Sequence, residues 1–256
     1  MREIISGFLS NESTFGRIMT KIAVIVGANL MFVIFSLPVV TVGASLAALY
    51  HVMLKALRGD GALNPIKQFW FGFKTNFKQA TIAWLLAIVL VAVGYADVKI
   101  CLAAGGFIGS LRYAVYAMGI ALVVVMIFLY PTMAAFENTL SNLAKFAVYF
   151  ALRRPFRLIV LVFFNVFPLY LTYTDPTYLP LYAFIWTFFG FGAIAMLGAT
   201  LLIKDFKPYL PLVDSYGDFV LDENGEKQKP DKDGSSVGSA EKSEQEILDE
   251  MNKLGM

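Results

Sequence analysis

Apolar residues fall in long blocks along this chain, separated by short polar breaks. Two blocks, 22–37 and 42–57, meet at Phe35-Ser-Leu-Pro-Val-Val-Thr-Val-Gly-Ala-Ser-Leu-Ala-Ala-Leu-Tyr50. Pro38 lacks an amide proton and disfavours helix at the residue before it. Thr41 is placed to cap a new helix. Gly43 and the small residues after it offer a surface that a neighbouring helix can approach closely. The pattern therefore predicts a tight turn between two membrane-spanning helices, with Pro38, Thr41 and Gly43 as its structural residues.

Further blocks complete six predicted spans, at about 22–37, 42–57, 80–95, 113–134, 158–173 and 178–203. Two amphipathic stretches interrupt them. In 66–78, Phe69, Trp70, Phe73 and Phe77 share one helical face, with Lys67, Lys74 and Lys78 beside them. That arrangement predicts a helix lying along the membrane surface with its lysines toward anionic headgroups. Stretch 141–157 repeats it. Aligning Phe77 with Phe156 also pairs Trp70 with Tyr149, Phe73 with Leu152, Lys74 with Arg153 and Lys78 with Arg157. The expected fold class is all-α: a polytopic helical membrane protein with about six transmembrane helices and two cytoplasmic amphipathic helices. A third amphipathic helix is expected at residues 1–10, through Ile4, Ile5, Phe8 and Leu9.

Composition agrees with the blocks. Hydrophobic residues make up 58% of the chain, against about 45–50% in soluble domains, and mean hydropathy is +0.66. Retention of the first block as a span is expected, since the apolar pattern continues past any signal-peptide length.

Charge sets the orientation. The net charge of +2 conceals a split. Residues 1–210 carry sixteen Lys/Arg and seven Asp/Glu, a balance of +9, whereas 211–256 carry five and twelve, a balance of −7. With six spans and the N-terminus inside, fourteen of those sixteen basic residues face the cytoplasm. Only Lys99 and Arg112 face out. The positive-inside rule selects this orientation, with both termini cytoplasmic. A five-span reading, with Pro38 only kinking one long helix, would put the two basic stretches on opposite sides. The acidic tail, 211–256, is expected to be mostly disordered. A short helix over 244–254 is expected within it, opened by a Ser243–Glu246 capping box and carrying Ile247, Leu248, Met251 and Leu254 as an apolar stripe.

Chemistry is sparse. One Cys leaves no intramolecular disulfide, and His51 is the single histidine. Phosphate-binding glycine loops, His-Glu-x-x-His and Gly-x-Ser-x-Gly are absent. No cofactor or catalytic set is expected, and the basic residues track the membrane boundary, which argues against nucleic acid. Asn29, His51 and Asn165 form a candidate polar intramembrane site, because ionisable and amide groups are costly in lipid. Interhelical hydrogen bonding is the commoner role of such asparagines. A neutral histidine bonded to a neighbouring helix is the plainer account of His51. Glu137 is expected to pair with Arg153 or Arg154. Lys67, Trp70, Phe73, Lys74, Phe77, Lys78, Arg153 and Arg154 form a candidate docking face.

The stretch Phe35 to Tyr50, followed by Pro65-Ile-Lys-Gln-Phe-Trp70 and Phe73-Lys-Thr-Asn-Phe-Lys-Gln-Ala80, resembles the YesL-like family of bacterial integral membrane proteins. The second half resembles it mainly in hydropathy. The resemblance implies a multi-pass protein of the bacterial cytoplasmic membrane. The family has no established biochemical activity, and its members commonly sit beside sugar-uptake and polysaccharide-utilisation genes. A non-enzymatic accessory protein is therefore expected, with the lipid bilayer and sugar-transporter subunits or other membrane proteins as partners. A small secondary transporter is the alternative, since six spans permit an inverted three-plus-three arrangement. A polar pocket shared by Asn29, His51 and Asn165 would favour transport; a dry bundle would favour the accessory role.

Overall fold

The computed structural model describes residues 14–58, 63–206, 209, 220–221, 227–228 and 247–253. The helix expected over 1–10, most of the acidic tail and Leu254 lie outside them. The order is α1 (Thr14–Ser36), α2 (Val42–Arg58), α3 (Pro65–Ala104), α4 (Gly106–Ser110), α5 (Arg112–Ala135), α6 (Leu140–Arg153), α7 (Pro155–Thr174), α8 (Leu179–Ile185) and α9 (Phe191–Phe206). A π-helical turn, Trp186–Gly190, joins α8 to α9. Residues 247–253 form a last helix, α10. Val220–Leu221 pairs antiparallel with Lys227–Gln228 as β1 and β2. Among the described residues, six helical stretches are long and apolar enough to cross a bilayer: Ile18–Ser36, Val39–Arg58, Pro65–Ala104, Gly106–Ala135, Pro155–Thr174 and Pro176–Phe206.

Pro38 ends α1 as expected, and a 3₁₀ turn over Val39–Thr41 leads into α2. Thr41 works differently from a cap. Its hydroxyl reaches back to the Phe35 and Pro38 carbonyls at 2.6 and 2.7 Å. It therefore serves the Phe35 carbonyl at the end of α1 and the Pro38 carbonyl of the turn, which the Thr41 amide also meets at 2.9 Å, instead of accepting from the first amides of α2. The Trp84 indole closes the turn from α3, donating to the Val39 carbonyl at 2.7 Å.

Helix α2 is the central pillar and packs against α1, α3, α5 and α9. Its Ala44, Ala47, Ala48, Leu49, Val52 and Met53 have no exposed surface. Small residues let its neighbours close in. A Cβ on Gly43 would stand 2.4 Å from the Ala80 carbonyl oxygen, and one on Gly72 would stand 2.8 Å from His51 Cβ.

These contacts fix an antiparallel register between α2 and the first part of α3. Gly43 faces Ala80, His51 faces Gly72, and the short connection joins Arg58 to Pro65. Segment 66–78 is therefore not a separate helix on the membrane surface. It is the first third of a helix of 40 residues, about 60 Å long at about 1.5 Å per residue. Asn64 caps this helix, accepting from the Ile66 and Lys67 amides, and Pro65 opens it. Nothing between Thr75 and Ala80 breaks it, since the segment holds neither Gly nor Pro. Past Trp84, α3 extends beyond the Pro38 turn and packs against α5, with Gly94 beside Val115. The Pro38 turn and the α3–α5 connection, both expected at the outer face, are thus separated along α3 by the stretch from Trp84 to Ala104.

The second amphipathic stretch does break. Pro155 cannot continue α6 and holds Arg154 out of helix at φ −139° and ψ 79°. The two stretches, similar in sequence, are therefore continuous in one case and jointed in the other.

Candidate functional site

The three polar intramembrane candidates do not converge. Asn29 on α1 is fully buried and clamps the π-helical turn. Its Nδ2 donates to the Trp186 and Thr187 carbonyls at 3.0 and 2.7 Å, and its Oδ1 accepts from the Gly192 amide at 2.7 Å. A π-turn shifts the backbone ladder and leaves carbonyls open, and Asn29 fills that need. Asn165 is turned to its own helix, donating to the Leu161 carbonyl at 2.8 Å. His51 packs against Gly72 and the Phe71 ring, 5.5 Å between centroids. Its buried Nε2 has no hydrogen-bond partner among the described residues. The partners of the three residues do not overlap, so the arrangement is one of separate packing contacts.

The α3 candidates divide by face. Phe69 and Phe73 are buried and surround Phe35 of α1, with centroids 5.7 and 5.0 Å away. Trp70 also meets Phe35, at 5.6 Å, but with Phe77 it stays largely exposed. Lys67, Lys74 and Lys78 are all exposed, and Lys74 Nζ lies over the Trp70 ring at 4.8 Å. This leaves an exposed stripe of lysines edged by Trp70, Phe71 and Phe77.

The arginines of the candidate face are already engaged. Arg153 Nη1 donates to the hydroxyls of Tyr149 at 2.8 Å and Tyr209 at 2.9 Å. It also lies 3.6 Å from Glu250 of α10. Both tyrosine hydroxyls donate to that same Glu250 carboxylate, Tyr209 at 3.1 Å. The Tyr149 bond, with that from Tyr209 and the Arg153 charge, holds the Glu250 carboxyl below its ordinary range. Burial, then the bond to Glu250, pushes the Tyr149 hydroxyl upward. Arg154 pairs with Asp205 at 3.3 Å. Arg157 pairs with the same Asp205 and reaches the Leu201 carbonyl, which pins the start of α7 to the end of α9. The pairing expected of Glu137 is therefore replaced by Glu250 for Arg153 and Asp205 for Arg154, and Glu137 is exposed.

Sequence reasoning missed Tyr149 and Tyr209 as partners of Arg153 and Glu250, and Asp205 as the shared partner of Arg154 and Arg157. One signal was available. Asp205 is the lone acid in the basic end of the last span, Lys204-Asp-Phe-Lys207. The inner face of α6 is also not free, because Leu143, Phe146, Ala147, Tyr149, Phe150 and Ala151 are all buried.

A family described as "Protein of unknown function, DUF624" matches residues 25–98. Both motif stretches that resemble YesL-like proteins, 35–50 and 65–80, lie within that match. The chain is also similar to "Uncharacterized protein YteU" of Bacillus subtilis (strain 168), 26% identical over 122 residues, which is 46% of this chain and 54% of that protein. The chain thus spans about half the length of the curated relative it matches. No solved structure matches the chain.

Proposed function

We propose that this chain is a non-enzymatic integral membrane protein of the bacterial cytoplasmic membrane, with both termini cytoplasmic, that serves as a docking component for another membrane protein. The observation that carries the reading is the exposed stripe of Lys67, Lys74 and Lys78 edged by Trp70, Phe71 and Phe77. Helix α3 is about 60 Å long at about 1.5 Å per residue, against a hydrocarbon layer of about 30 Å. Its exposed apolar stretch, with Ile82, Leu85, Leu86 and Val89, suits lipid. A lysine at the bilayer centre costs about 2.5–3.5 kcal/mol, so the lysine stripe suits the cytoplasmic boundary. The link to carbohydrate uptake, with a sugar-transporter subunit as partner, rests on the YesL-like resemblance alone.

The test places a photo-crosslinking residue at Phe71 in cells, with a second at lipid-facing Val89 as control. One discrete adduct from Phe71, lost when Lys67, Lys74 and Lys78 are changed to Gln, supports docking. Adducts that survive the triple change, or that appear equally from Val89, reduce the stripe to a membrane anchor. The transporter alternative keeps one observation in its favour, the unpartnered Nε2 of His51. Solute-driven proton movement in vesicles, abolished by His51→Ala, would establish it.

A further inference from the structure

Helix α10 is short, yet it is held at three points. Ile247 has no exposed surface, Met251 is 3% exposed, and Glu250 accepts from Tyr149 and Tyr209 beside Arg153. These residues stand at i, i+3 and i+4 on one helical face. Beside Tyr149 and Tyr209, which hold Glu250, stands an aromatic block made without α10. Phe136 stacks on Phe150 at 6.1 Å and meets Phe206 at 5.4 Å, and Phe150 meets Phe206 at 4.9 Å and Tyr209 at 6.2 Å. Arg154 at the α6–α7 joint and Arg157 of α7 both pair with Asp205 of α9.

The two sides differ in what they need. The receptor wall is carried by α6, by the ends of α5 and α9, and by Tyr209 just past α9, and α6 packs on α5. A helix as short as α10 is marginal in water unless something holds it, so its order depends on the wall. The polar part of the contact is open to solvent, with Arg153 and Glu250 side chains 41% and 47% exposed, and exposed pairs add little strength. These are the features of a short segment that folds onto a ready-made site and can leave it.

We propose that the end of α6, with Phe206 and Tyr209, is a recognition site for a short acidic amphipathic helix of Ile-x-x-Glu-Met spacing, and that this chain's own C-terminal helix is its resident, displaceable ligand. The apolar wall supplies the affinity. The Tyr149–Arg153–Tyr209 trio supplies the specificity, since it presents two hydroxyls and one guanidinium group to a single carboxylate. A helix with Lys or Gln in place of the glutamate would leave Arg153 without its anion.

The test needs no docking partner, so its outcome is separate from that of the proposed α3 stripe. The full chain in mild detergent is compared with a full-length variant carrying Ile247→Ser and Met251→Ser, in which the resident helix loses both apolar anchors. A fluorescent peptide of residues 244–256 is titrated into each, with anisotropy as the readout. The open variant should bind it saturably and at least tenfold more tightly than the unmodified chain, whose site is filled. A peptide carrying Glu250→Arg should lose at least tenfold, and should recover on an open variant that also carries Arg153→Glu. Should Arg153→Glu prevent folding, Tyr149→Phe in the open variant should weaken the native peptide severalfold. Equal binding to both proteins, no binding to the folded open variant, or indifference to Glu250→Arg would overturn the proposal.

Discussion

Gly43 of α2 lies directly against Ala80 of α3, where an added Cβ would stand 2.4 Å from the Ala80 carbonyl oxygen and 2.6 Å from Trp84 Cβ. This contact sets the register of the helix pair, because it holds the hairpin turn beside Trp84, whose indole donates to the Val39 carbonyl. Neither neighbouring group is the free end of a flexible side chain, so the backbone itself must move to admit a methyl group.

Gly43→Ala should therefore lower stability by about 1–3 kcal/mol, the usual cost of overpacking. Gly119→Ala is the matched control. Gly119 lies in α5, and nothing stands within 4 Å of its would-be Cβ. There the change should be neutral or stabilising, by up to about 1 kcal/mol from helix propensity. Thermal unfolding of both variants in detergent gives the comparison. Equal midpoints for the two would contradict the close approach.

Asn29 should be the most sensitive of the polar candidates. Its removal strands the Trp186 and Thr187 carbonyls and the Gly192 amide together. Interhelical hydrogen bonds in membranes are worth about 0.6–2 kcal/mol, so Asn29→Ala should cost about 1–2 kcal/mol or more, since three bonds go at once. Asn165→Ala should cost much less, because that side chain serves only its own helix. Similar losses from both changes would argue against the clamp at the π-turn.

Much of this architecture was legible in the pattern of the chain. Apolar blocks announce membrane helices through their length alone, and Pro38 marks its turn, although Pro131 and Pro168 are carried inside α5 and α7. The α10 stripe through Ile247 and Met251 was also readable. What stayed hidden depends on depth and pairing. The lysines of 66–78 look the same on a surface helix as on one end of a long span, and only the Gly43–Ala80 and Gly72–His51 contacts distinguish the two. Partner choice was hidden for the same reason. Arg153 could meet any nearby acid, and the acid it meets, Glu250, is 97 positions away in sequence. Likewise, the pull of the Trp186–Gly190 turn on Asn29 is written in backbone geometry that residue types do not reveal.

Topology follows from the charge distribution and is open to direct labelling. Cys101 is free but buried, which makes it a poor reporter. A cysteine at exposed Ala104, in a chain carrying Cys101→Ser, should react with a membrane-impermeant thiol reagent in intact cells. A cysteine at exposed Lys74 should react only after the membrane is opened. The reverse pattern would invert the proposed orientation.

The contact of α10 should respond to pH in one direction only. The groups facing the Glu250 carboxylate are Tyr149 and Arg153 of α6 and Tyr209, with Lys253 on its own helix. Bonding to Tyr149 first, then to Tyr209, together with the Arg153 charge, holds this carboxyl below its ordinary value of 4.5. A depressed acid favours the docked state wherever the free form would already be ionised. The contribution is thus complete above the ordinary glutamate range and disappears as pH falls through the depressed value. Docking should therefore be flat from neutral pH down to about 5 and weaken only below it. Tyr149 does not change this, because its hydroxyl is pushed upward, away from the acid range. Hydrogen exchange of the α10 amides, corrected for the intrinsic pH dependence of exchange, should show constant protection across the neutral range and loss of it in acid. With Glu250→Gln the acid step should vanish, and protection should be weaker throughout, because a neutral amide pairs less well with Arg153. An acid step that persists in Glu250→Gln would assign the pH response to another group and remove Glu250 from its place at the centre of the contact.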